Sequence, residues 1–253
     1  MYRELTAADH QRIAGLRGEP IPDVLVLVGI FAVHHGAERF AAYLDESKYN
    51  HRFPGFLGRH QGLNVALAAV FGGPMAAMQA HTWCAAGVPV VLQLGWFGAL
   101  QPGMQLGDVL VPRHAERQDG VSDWYLPKGI LADSTTDLDD AICARLESRA
   151  IPYGRHGIYS TPALLAESRE VIADWSRHGY QGVDMETAAT FAVAKSLGAK
   201  RSAALIRIDD LITEEHSLVE PLRGYHRSFM RERESQVLHA ALEAVASLRE
   251  AAS

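Results

Sequence analysis

The stretch GGPMAAMQAHTWCAAGVPVVLQLGWFGALQPGMQLGDVLVP, residues 72–112, contains the pattern that decides the fold. Small apolar residues follow a glycine pair, which predicts a helix over Gly73–Ala86. Two short apolar runs come next, at residues 88–95 and 107–112, and both have the Val and Leu content of buried strands. Helix and strand therefore alternate in this part of the chain.

The same alternation extends in both directions. Further apolar runs predict strands at residues 24–30, 63–70 and 202–208. Helix-periodic stretches predict helices at residues 167–177, 184–197 and 226–249. Because the strand runs are continuously apolar, we expect them to be covered on both faces. The chain is therefore predicted to be a single α/β domain over residues 1–253, a three-layer α/β/α sandwich with a central mixed sheet.

The composition excludes several classes of protein. Hydrophobic residues make up 48% of the chain and the net charge is −6, which indicates a globular protein without a nucleic-acid partner. Basic residues at 223–233 alternate with Glu232 and Glu234, a pattern typical of a solvated helix face. Cys84 and Cys143 are expected to be reduced core residues. With no apolar signal core and no membrane-spanning run, we expect a cytoplasmic protein without a membrane partner.

Three motifs occur in a characteristic order. Residues 72–112 combine a glycine-led helix, a strand and the strand GDVLVP. GVDMETAATFAVAKSLGAK, residues 182–200, begins with Val-Asp-Met-Glu, and SAALIRIDDL, residues 202–211, ends in two acidic residues. Together they resemble the superfamily of purine nucleoside phosphorylase, uridine phosphorylase and methylthioadenosine nucleosidase. The resemblance implies cleavage of the bond between a base and a ribose in a nucleoside, with no cofactor and no metal ion.

The Val-Asp-Met-Glu motif places two carboxylates at the start of a predicted helix. Glycosidic cleavage makes the ribose cationic in the transition state, so polar contacts must fix the sugar. By resemblance, Glu186 is catalytic and accepts hydrogen bonds from the ribose hydroxyls, and Met185 packs against the sugar ring. From the residues alone, Asp184 and Glu186 are equally compatible with a role at the helix N-terminus.

An acidic pair follows the last predicted strand, at the edge where α/β folds place their sites. By resemblance, Asp209 donates a proton towards N7 of a purine leaving group. Because Asp210 is adjacent, the sequence does not decide which of the two carboxylates matches the family's aspartate. Capping the next turn is the alternative role for either of them. Ile208 replaces the family's serine. Arg207 lies two residues before Asp209, on the same predicted strand face, and is expected to pair with it and weaken it as an acid.

The residues expected to bind phosphate in a phosphorylase are missing from this chain. The early loop GIFAVHHGAERF, residues 29–40, has no Asp or Arg at the matching places. In the later turn around Gly95, Gln93 replaces an arginine and Trp96 replaces a hydroxyl residue. Because an apolar wall disfavours a divalent anion, we expect an altered phosphate pocket with water as the nucleophile.

Hydrolysis requires a base that activates water, and the early loop supplies the candidates. It contains His34, His35 and Glu38, of which we place His35 first. His34, His35 and Arg207 are also the groups that would form an alternative anion site. Both histidines are equally compatible with ordinary local hydrogen bonding.

The loop that reads the base in this superfamily corresponds to GIYSTPALLAESRE, residues 157–170. Tyr159 and Phe97 are candidates for stacking on a base, and either Leu164 or Ala163 stands where the family has a phenylalanine. Glu167 with Arg169 would mimic a pyrimidine-reading pair, but the simpler expectation is that both face solvent.

Three functions stay open from the sequence. The first is hydrolysis of a nucleoside, either a purine nucleoside, which Asp209 favours, or a modified one. The second is phosphorolysis with an unorthodox phosphate site. The third is a non-catalytic nucleoside-binding or storage protein. The replacements Gln93, Trp96 and Ile208 favour it, and the retained Glu186 and Asp209 argue against it. The resemblance also implies a homodimer or a trimer of dimers.

Overall fold

The computed structural model describes residues 2–213, 219–220 and 222–251, in which strands and helices alternate. The strands are β1 (Val24–Gly29), β2 (Glu46–Tyr49), β3 (Phe56–His60), β4 (Leu63–Val70), β5 (Val90–Ala99), β6 (Val109–Leu110), β7 (His114–Arg117), β8 (Ala132–Asp133), β9 (Tyr153–Gly154), β10 (Gly157–Ser160), β11 (Gly182–Asp184) and β12 (Lys200–Asp210). The α-helices are α1 (Ala7–Ala14), α2 (Val33–Ala41), α3 (Gly73–Ala86), α4 (Thr136–Ser148), α5 (Arg169–Arg177), α6 (Thr187–Ser196) and α7 (Gly224–Ala251).

These strands of the described residues form one sheet. Its main path runs β2-β3-β4-β1-β5-β11-β10-β7-β8, and β12 pairs with both β5 and β6. β4, β1, β5 and β12 are parallel to one another, whereas β11 is antiparallel to β5. The sheet is therefore mixed, as predicted. The carboxyl ends of its four central strands meet at one edge, which is where a ligand site is expected.

Alternate residues of β1 pack into helical layers on opposite faces of the sheet. Val24, Val26 and Val28 belong to an apolar cluster with α2, α4 and α7. Leu25 and Leu27 belong to a second cluster with α1, α3 and α6. All five side chains are fully buried. The predicted three-layer α/β/α sandwich is thus confirmed, and burial on both faces explains the continuously apolar strand runs.

Several element boundaries differ from the prediction. The helix predicted over Gly73–Ala86 forms with those bounds, but the strand predicted over residues 107–112 is reduced to Val109–Leu110. The helix predicted from residue 184 begins at Thr187, because Gly182–Asp184 forms β11 between β10 and β5. The prediction that Asp184 lies in a helix was wrong, since backbone pairing in the sheet holds this segment in an extended conformation.

The helical layers contain both cysteines. Cys84 on α3 and Cys143 on α4 are buried and free, as predicted. Burial raises the pKa of the Cys84 thiol to about 12, so this group stays uncharged. Among the described helices, none combines the length and the apolar character needed to cross a membrane.

The close approach of β1 and β5 at Gly29 and Gly95 yields a stability prediction. Gly95 has φ +136°, and a Cβ there would lie 2.4 Å from the carbonyl oxygen of Gly29. Gly95→Ala is expected to lower the free energy of unfolding by about 3 kcal/mol, through steric overlap and an unfavourable φ. Urea denaturation measures this loss.

Gly103→Ala is the matched control, because Gly103 also has positive φ (+98°) but has open space around its Cβ position. It is expected to cost about 1 kcal/mol from the backbone alone. Equal losses for the two variants would contradict the steric explanation.

Candidate active site

A cavity of about 130 Å³ opens at the carboxyl ends of the central strands. Residues from β1, β5, β11 and β12 and from the loops that follow β4 and β10 form its wall. The lining residues are Gly29, Ile30, Phe31, Phe71, Trp96, Phe97, Gly98, Thr161, Leu164, Glu167, Val183, Asp184, Met185, Glu186, Ile208, Asp209 and Leu211.

Six of the side chains singled out from the sequence meet in this wall. They are Glu186, Met185, Asp209, Phe97, Leu164 and Trp96. They come from four separate segments of the chain, and the pairing of β5 with β11 and β12 brings three of these segments to the same edge of the sheet. The arrangement combines carboxyl groups with aromatic and aliphatic surfaces, as expected of a small-molecule site.

The carboxyl group of Glu186 is held by backbone from three parts of the fold. Its Oε1 accepts a hydrogen bond of 2.6 Å from the Gly72 amide, and its Oε2 accepts one of 3.3 Å from the Met185 amide. A Cβ at Gly29 would lie 2.7 Å from Oε2, so the absence of a side chain there makes room for the carboxyl group. Glu186 is the N-cap residue of α6, but its side chain makes no capping hydrogen bond. Its carboxyl group therefore faces the cavity rather than serving the helix.

Asp184 performs the capping role instead. One of its oxygens accepts hydrogen bonds from the Thr187 amide (2.9 Å) and hydroxyl, and the other accepts one from the Ser160 hydroxyl (2.6 Å). Ser160 Oγ also accepts from the Ala188 amide at 3.0 Å. This network ties β10, β11 and α6 together directly behind Glu186.

Both buried carboxyl groups have raised pKa values. Burial raises the pKa of Glu186 to about 8, and the neighbouring Asp184 contributes to this rise. Burial likewise raises the pKa of Asp184, although its hydrogen bonds from Ser160 and Thr187 oppose the rise. Glu186 therefore holds a proton at neutral pH. A ligand whose hydroxyl groups donate hydrogen bonds to its carboxylate would favour the loss of that proton.

A β-bulge in β12 gives the neighbouring carboxyl groups of Asp209 and Asp210 different surroundings. The pairing of β12 with β5 shifts between Arg207 and Asp209, so that Ile208 and Asp209 both line the cavity. Asp210 points elsewhere: it forms an ion pair of 2.9 Å with Arg207 and accepts hydrogen bonds from the next turn, at Ile212. The expected alternation that put Arg207 and Asp209 on one strand face was wrong, because the bulge adds a residue between them.

Trp96 belongs to a buried network beside the cavity. Its indole N–H donates to Glu234 Oε1 at 3.1 Å, and Arg39 donates to both Glu234 oxygens at 2.8 and 2.9 Å. The Arg39 guanidinium lies 5.7 Å from the centre of the Trp96 ring. Glu234 is 1% exposed, so its predicted place on a solvated helix face was wrong: this face of α7 packs on the sheet.

The remaining predicted residues lie outside the described cavity wall. His34 and His35 are on α2 with side chains 71% and 82% exposed, both near Glu38. Tyr159 stacks on Trp175 with ring centres 4.1 Å apart. These three side chains point away because the local helix and strand directions turn them outwards or towards another apolar cluster.

Gln93 and Gly95 lie beneath the site rather than in it. Gln93 is fully buried on β5, where its amide oxygen accepts a hydrogen bond of 2.7 Å from Thr190 and its amide nitrogen donates to the Leu94 carbonyl. Gly95 lies against the backbone of Gly29. Neither lines the cavity, so both shape the site only through packing.

Sequence reasoning missed Glu167 as a cavity residue. We expected it to face solvent, yet it lines the cavity and its Oε1 is buried without a hydrogen-bond partner among the described residues. Burial, reinforced by Asp209, raises its pKa to about 7. Phe31, Phe71 and Thr161 also line the wall. Their position after strands was the available signal, but nothing in the local sequence shows which way they point.

The raised pKa of Glu186 predicts a pH-dependent effect on stability. In the unfolded chain this group ionises near the ordinary glutamate pKa of 4.5, and in the folded protein only near 8. The contribution of Glu186 to the free energy of unfolding is therefore fully present below pH 4.5 and is lost as the pH rises to 8. Glu186→Gln, which cannot ionise, should stabilise the protein relative to wild type by more at pH 8.5 than at pH 5, by a few kcal/mol.

Urea denaturation at the two pH values measures this difference. Glu38→Gln is the control, since Glu38 is half exposed on α2 and lies outside the cavity. A Glu186→Gln effect that is the same at both pH values would contradict a proton held by Glu186.

Removal of one partner from the Arg39–Glu234 pair should be costly. Glu234→Ala removes a buried carboxylate and leaves Arg39, whose side chain is 19% exposed, without its partner, which is expected to lower the free energy of unfolding by about 3–5 kcal/mol. Glu243→Ala, which removes the partner of Arg149 at a more exposed position, should cost about 1 kcal/mol or less. Thermal or urea denaturation compares the two, and similar losses would show that burial does not make the Arg39 pair special.

Comparison with known proteins places this geometry in a family. The family model described as "Phosphorylase superfamily" matches residues 24–246. The chain is 29% identical over 180 residues to guanosine phosphorylase of Halorubrum lacusprofundi, covering 68% of this chain and 73% of that protein. It is 24% identical over 183 residues to uridine phosphorylase of Haemophilus influenzae, covering 65% and 72%.

A solved structure shows the same fold. The crystal structure of uridine phosphorylase from Vibrio fischeri ES114 superposes with a TM-score of 0.77 at 22% identity, covering 90% of this chain and 93% of that one. The family match spans most of the chain, and it agrees with the sheet topology and with the motifs that line the cavity. The chain therefore belongs to the phosphorylase superfamily, and it is an enzyme of the kind that cleaves the N-glycosidic bond of a nucleoside.

Proposed function

We propose that this enzyme hydrolyses the N-glycosidic bond of a purine or modified nucleoside, with water rather than phosphate as the nucleophile. The observation that carries the proposal is the charge of the cavity wall. Its titratable lining groups are the carboxyls of Glu167, Asp184, Glu186 and Asp209, and the described lining residues include no Arg, Lys or His. A divalent anion would have to enter this wall without a cationic partner, which is strongly unfavourable.

The Trp96 network supports the same conclusion. Arg39 is the arginine that the early loop region offers, and both of its hydrogen bonds to Glu234 are made away from the cavity. The indole of Trp96 stands between this ion pair and the ligand space. The positive charge of Arg39 is thus neutralised by Glu234 and screened from the site by an aromatic wall.

The cavity residues fit the two charges that develop during glycosidic cleavage. Glu186, held by the Gly72 and Met185 amides, is placed to accept the ribose hydroxyls and to stabilise the cationic sugar. Met185 supplies an apolar surface for the ring. We assign to Asp209, which lines the cavity at the end of β12, the delivery of a proton to the departing base. His35 is not part of the described wall, so we assign it no contact with the reacting atoms.

Phosphorolysis is the second candidate, and the relatives favour it. Two of them carry the names guanosine phosphorylase and uridine phosphorylase. Under this alternative, phosphate would be held by backbone amides in the loops that follow β1 and β4. The two names also leave the base open between purine and pyrimidine, and the position of Asp209 favours a purine.

Base release distinguishes the two reactions. Purified enzyme is incubated with adenosine, inosine, guanosine, uridine and 5′-modified adenosines, with and without phosphate, and the products are separated by chromatography. We expect equal base release in both conditions, with free ribose as the second product. In H₂¹⁸O, the ribose should carry one ¹⁸O at its anomeric carbon. Strict phosphate dependence with ribose 1-phosphate as product would contradict hydrolysis.

Variants then test the roles of the carboxyl groups. Glu186→Gln and Asp209→Asn are each expected to lower the rate of base release by about 10²-fold or more while the protein stays folded, since each removes charge stabilisation or proton donation. Glu38, a candidate base in the sequence, lies half exposed outside the described cavity wall, so Glu38→Gln serves as the matched control and should retain the wild-type rate. Undiminished activity in Glu186→Gln would remove that residue from the mechanism.

A further inference from the structure

Gln93 is a polar side chain in the middle of an apolar sheet. It lies on β5 between Leu27 of β1 and Ala203 of β12, and its side chain is fully buried. A buried amide is costly unless its polar atoms form hydrogen bonds, and an aliphatic side chain of similar size would fill the same space without that cost. We therefore expect the amide to perform a task that an aliphatic side chain cannot perform.

The Gln93 amide connects β5 to helix α6. Its oxygen accepts a hydrogen bond of 2.7 Å from the Thr190 hydroxyl, and its nitrogen donates to the Leu94 carbonyl at 2.9 Å. Thr190 lies one turn after Glu186, and its backbone amide donates to the Glu186 carbonyl at 3.0 Å. The Gln93–Thr190 hydrogen bond therefore attaches α6 to β5 one turn away from the carboxyl group that lines the cavity.

The rotation of α6 about its axis depends on polar contacts. Residues 187–194 are all buried, so the helix has no single apolar stripe that would set its rotation. Four of these residues are alanines, whose small side chains resist rotation only weakly. Directional hydrogen bonds therefore hold the helix in one orientation, one set at the Asp184 cap and one from Thr190 to Gln93.

Glu186 and Gln93 also meet at Gly29. A Cβ at Gly29 would lie 2.7 Å from Glu186 Oε2 and 3.2 Å from Gln93 Nε2, so both polar groups border the space that the glycine leaves free. A shift of α6 relative to β5 would move the Glu186 carboxyl group out of this space. It would also move that group away from the Gly72 amide, which donates to it at 2.6 Å.

We propose that Gln93 is a positioning residue, which holds α6 through Thr190 and thereby places the Glu186 carboxyl group in the cavity. This inference rests on the proposed nucleoside-cleaving function, in which Glu186 accepts the ribose hydroxyls. Gln93 acts on the site through the packing of α6 and does not contact the substrate. Misplacement of a group by about 1 Å lowers a rate by up to about 10²-fold, so a hydrogen bond outside the cavity is able to control cleavage.

Two single variants test the hydrogen bond from its two ends. Thr190→Val is nearly isosteric and removes the hydroxyl, and Gln93→Met removes the amide. Each is expected to lower kcat for base release by about 10-fold or more, because Glu186 acts on charge that develops in the transition state. Each should also lower the urea midpoint, because the other polar group stays buried without its partner. Thr190→Ser keeps the hydroxyl and should retain the wild-type kcat.

The double variant Gln93→Met/Thr190→Val separates positioning from stability. With both partners replaced by apolar side chains, no unpaired group is left, so the urea midpoint should return towards the wild-type value. Its kcat should stay as low as that of the single variants, because the bond that orients α6 is still missing. A merely structural role predicts instead that activity recovers together with stability.

Ser202→Ala is the matched control, since it removes another buried hydroxyl that donates a hydrogen bond. Ser202 lies near the start of β12, away from the cavity, and donates to Asp139 at 2.6 Å. This variant should lower the urea midpoint and keep the wild-type kcat. A loss of kcat in Ser202→Ala equal to that in Thr190→Val would show that lost stability alone explains the effect, which overturns the role of Gln93.

A crystal structure of the double variant gives a readout that does not depend on activity. The Glu186 carboxyl group is expected to have lost its hydrogen bond with the Gly72 amide. Retention of that bond, or a wild-type kcat in the double variant, overturns the inference. If the wild-type protein cleaves no nucleoside of the panel, the proposed function fails, and the place of Glu186 in this crystal structure still decides whether Gln93 positions it.

Discussion

The site depends on the contact between the Glu186 carboxyl group and the backbone around Gly29. β1 and β5 approach so closely that Gly95 has no room for a side chain, and at Gly29 the Cβ position is taken by the Glu186 carboxyl group and the Gln93 amide. The space left at Gly29 receives Glu186, which is then fixed by the Gly72 amide shortly after the end of β4. Three strand ends and the start of α6 are thereby joined at one carboxyl group. A buried, hydrogen-bonded carboxyl group is rigid, so the other residues of the cavity pack around a group with a fixed position.

The wall around this point concentrates carboxyl groups, and its described lining residues include no cationic side chain. Glu167, Glu186 and Asp209 line one small volume, while Arg39 is drawn into an ion pair with Glu234 behind Trp96. Burial makes Glu167 and Glu186 harder to ionise, so the site carries protons at neutral pH. Such a site suits a substrate with sugar hydroxyls and a base that takes up a proton. Under the proposed hydrolysis no anionic co-substrate has to enter, and such an anion would meet no cationic partner among the described lining residues.

Short-range patterns predicted the elements but not every side-chain direction. The helix Gly73–Ala86 and the central strands follow from apolar runs and glycine positions, and Glu186, Met185 and Asp209 follow from motifs at strand ends. The exposed placement of His35 could not be predicted in this way, because it depends on the rotation of a helix relative to the sheet. The orientation of Asp209 could not be predicted either. It depends on a β-bulge, which is defined by the pairing of β12 with β5 and not by the sequence of β12 alone.

The sequence by itself determined the class of fold, the family and the carboxyl groups at the ends of β11 and β12, because these follow from local periodicity and from motifs of fixed spacing. Only the tertiary structure decided which groups share the cavity. Glu234 lies far from Trp96 along the chain, and Glu167 far from Asp209, yet packing brings each pair together. Burial and charge at such contacts arise from long-range packing, and they set the pKa values of the carboxyl groups in the cavity.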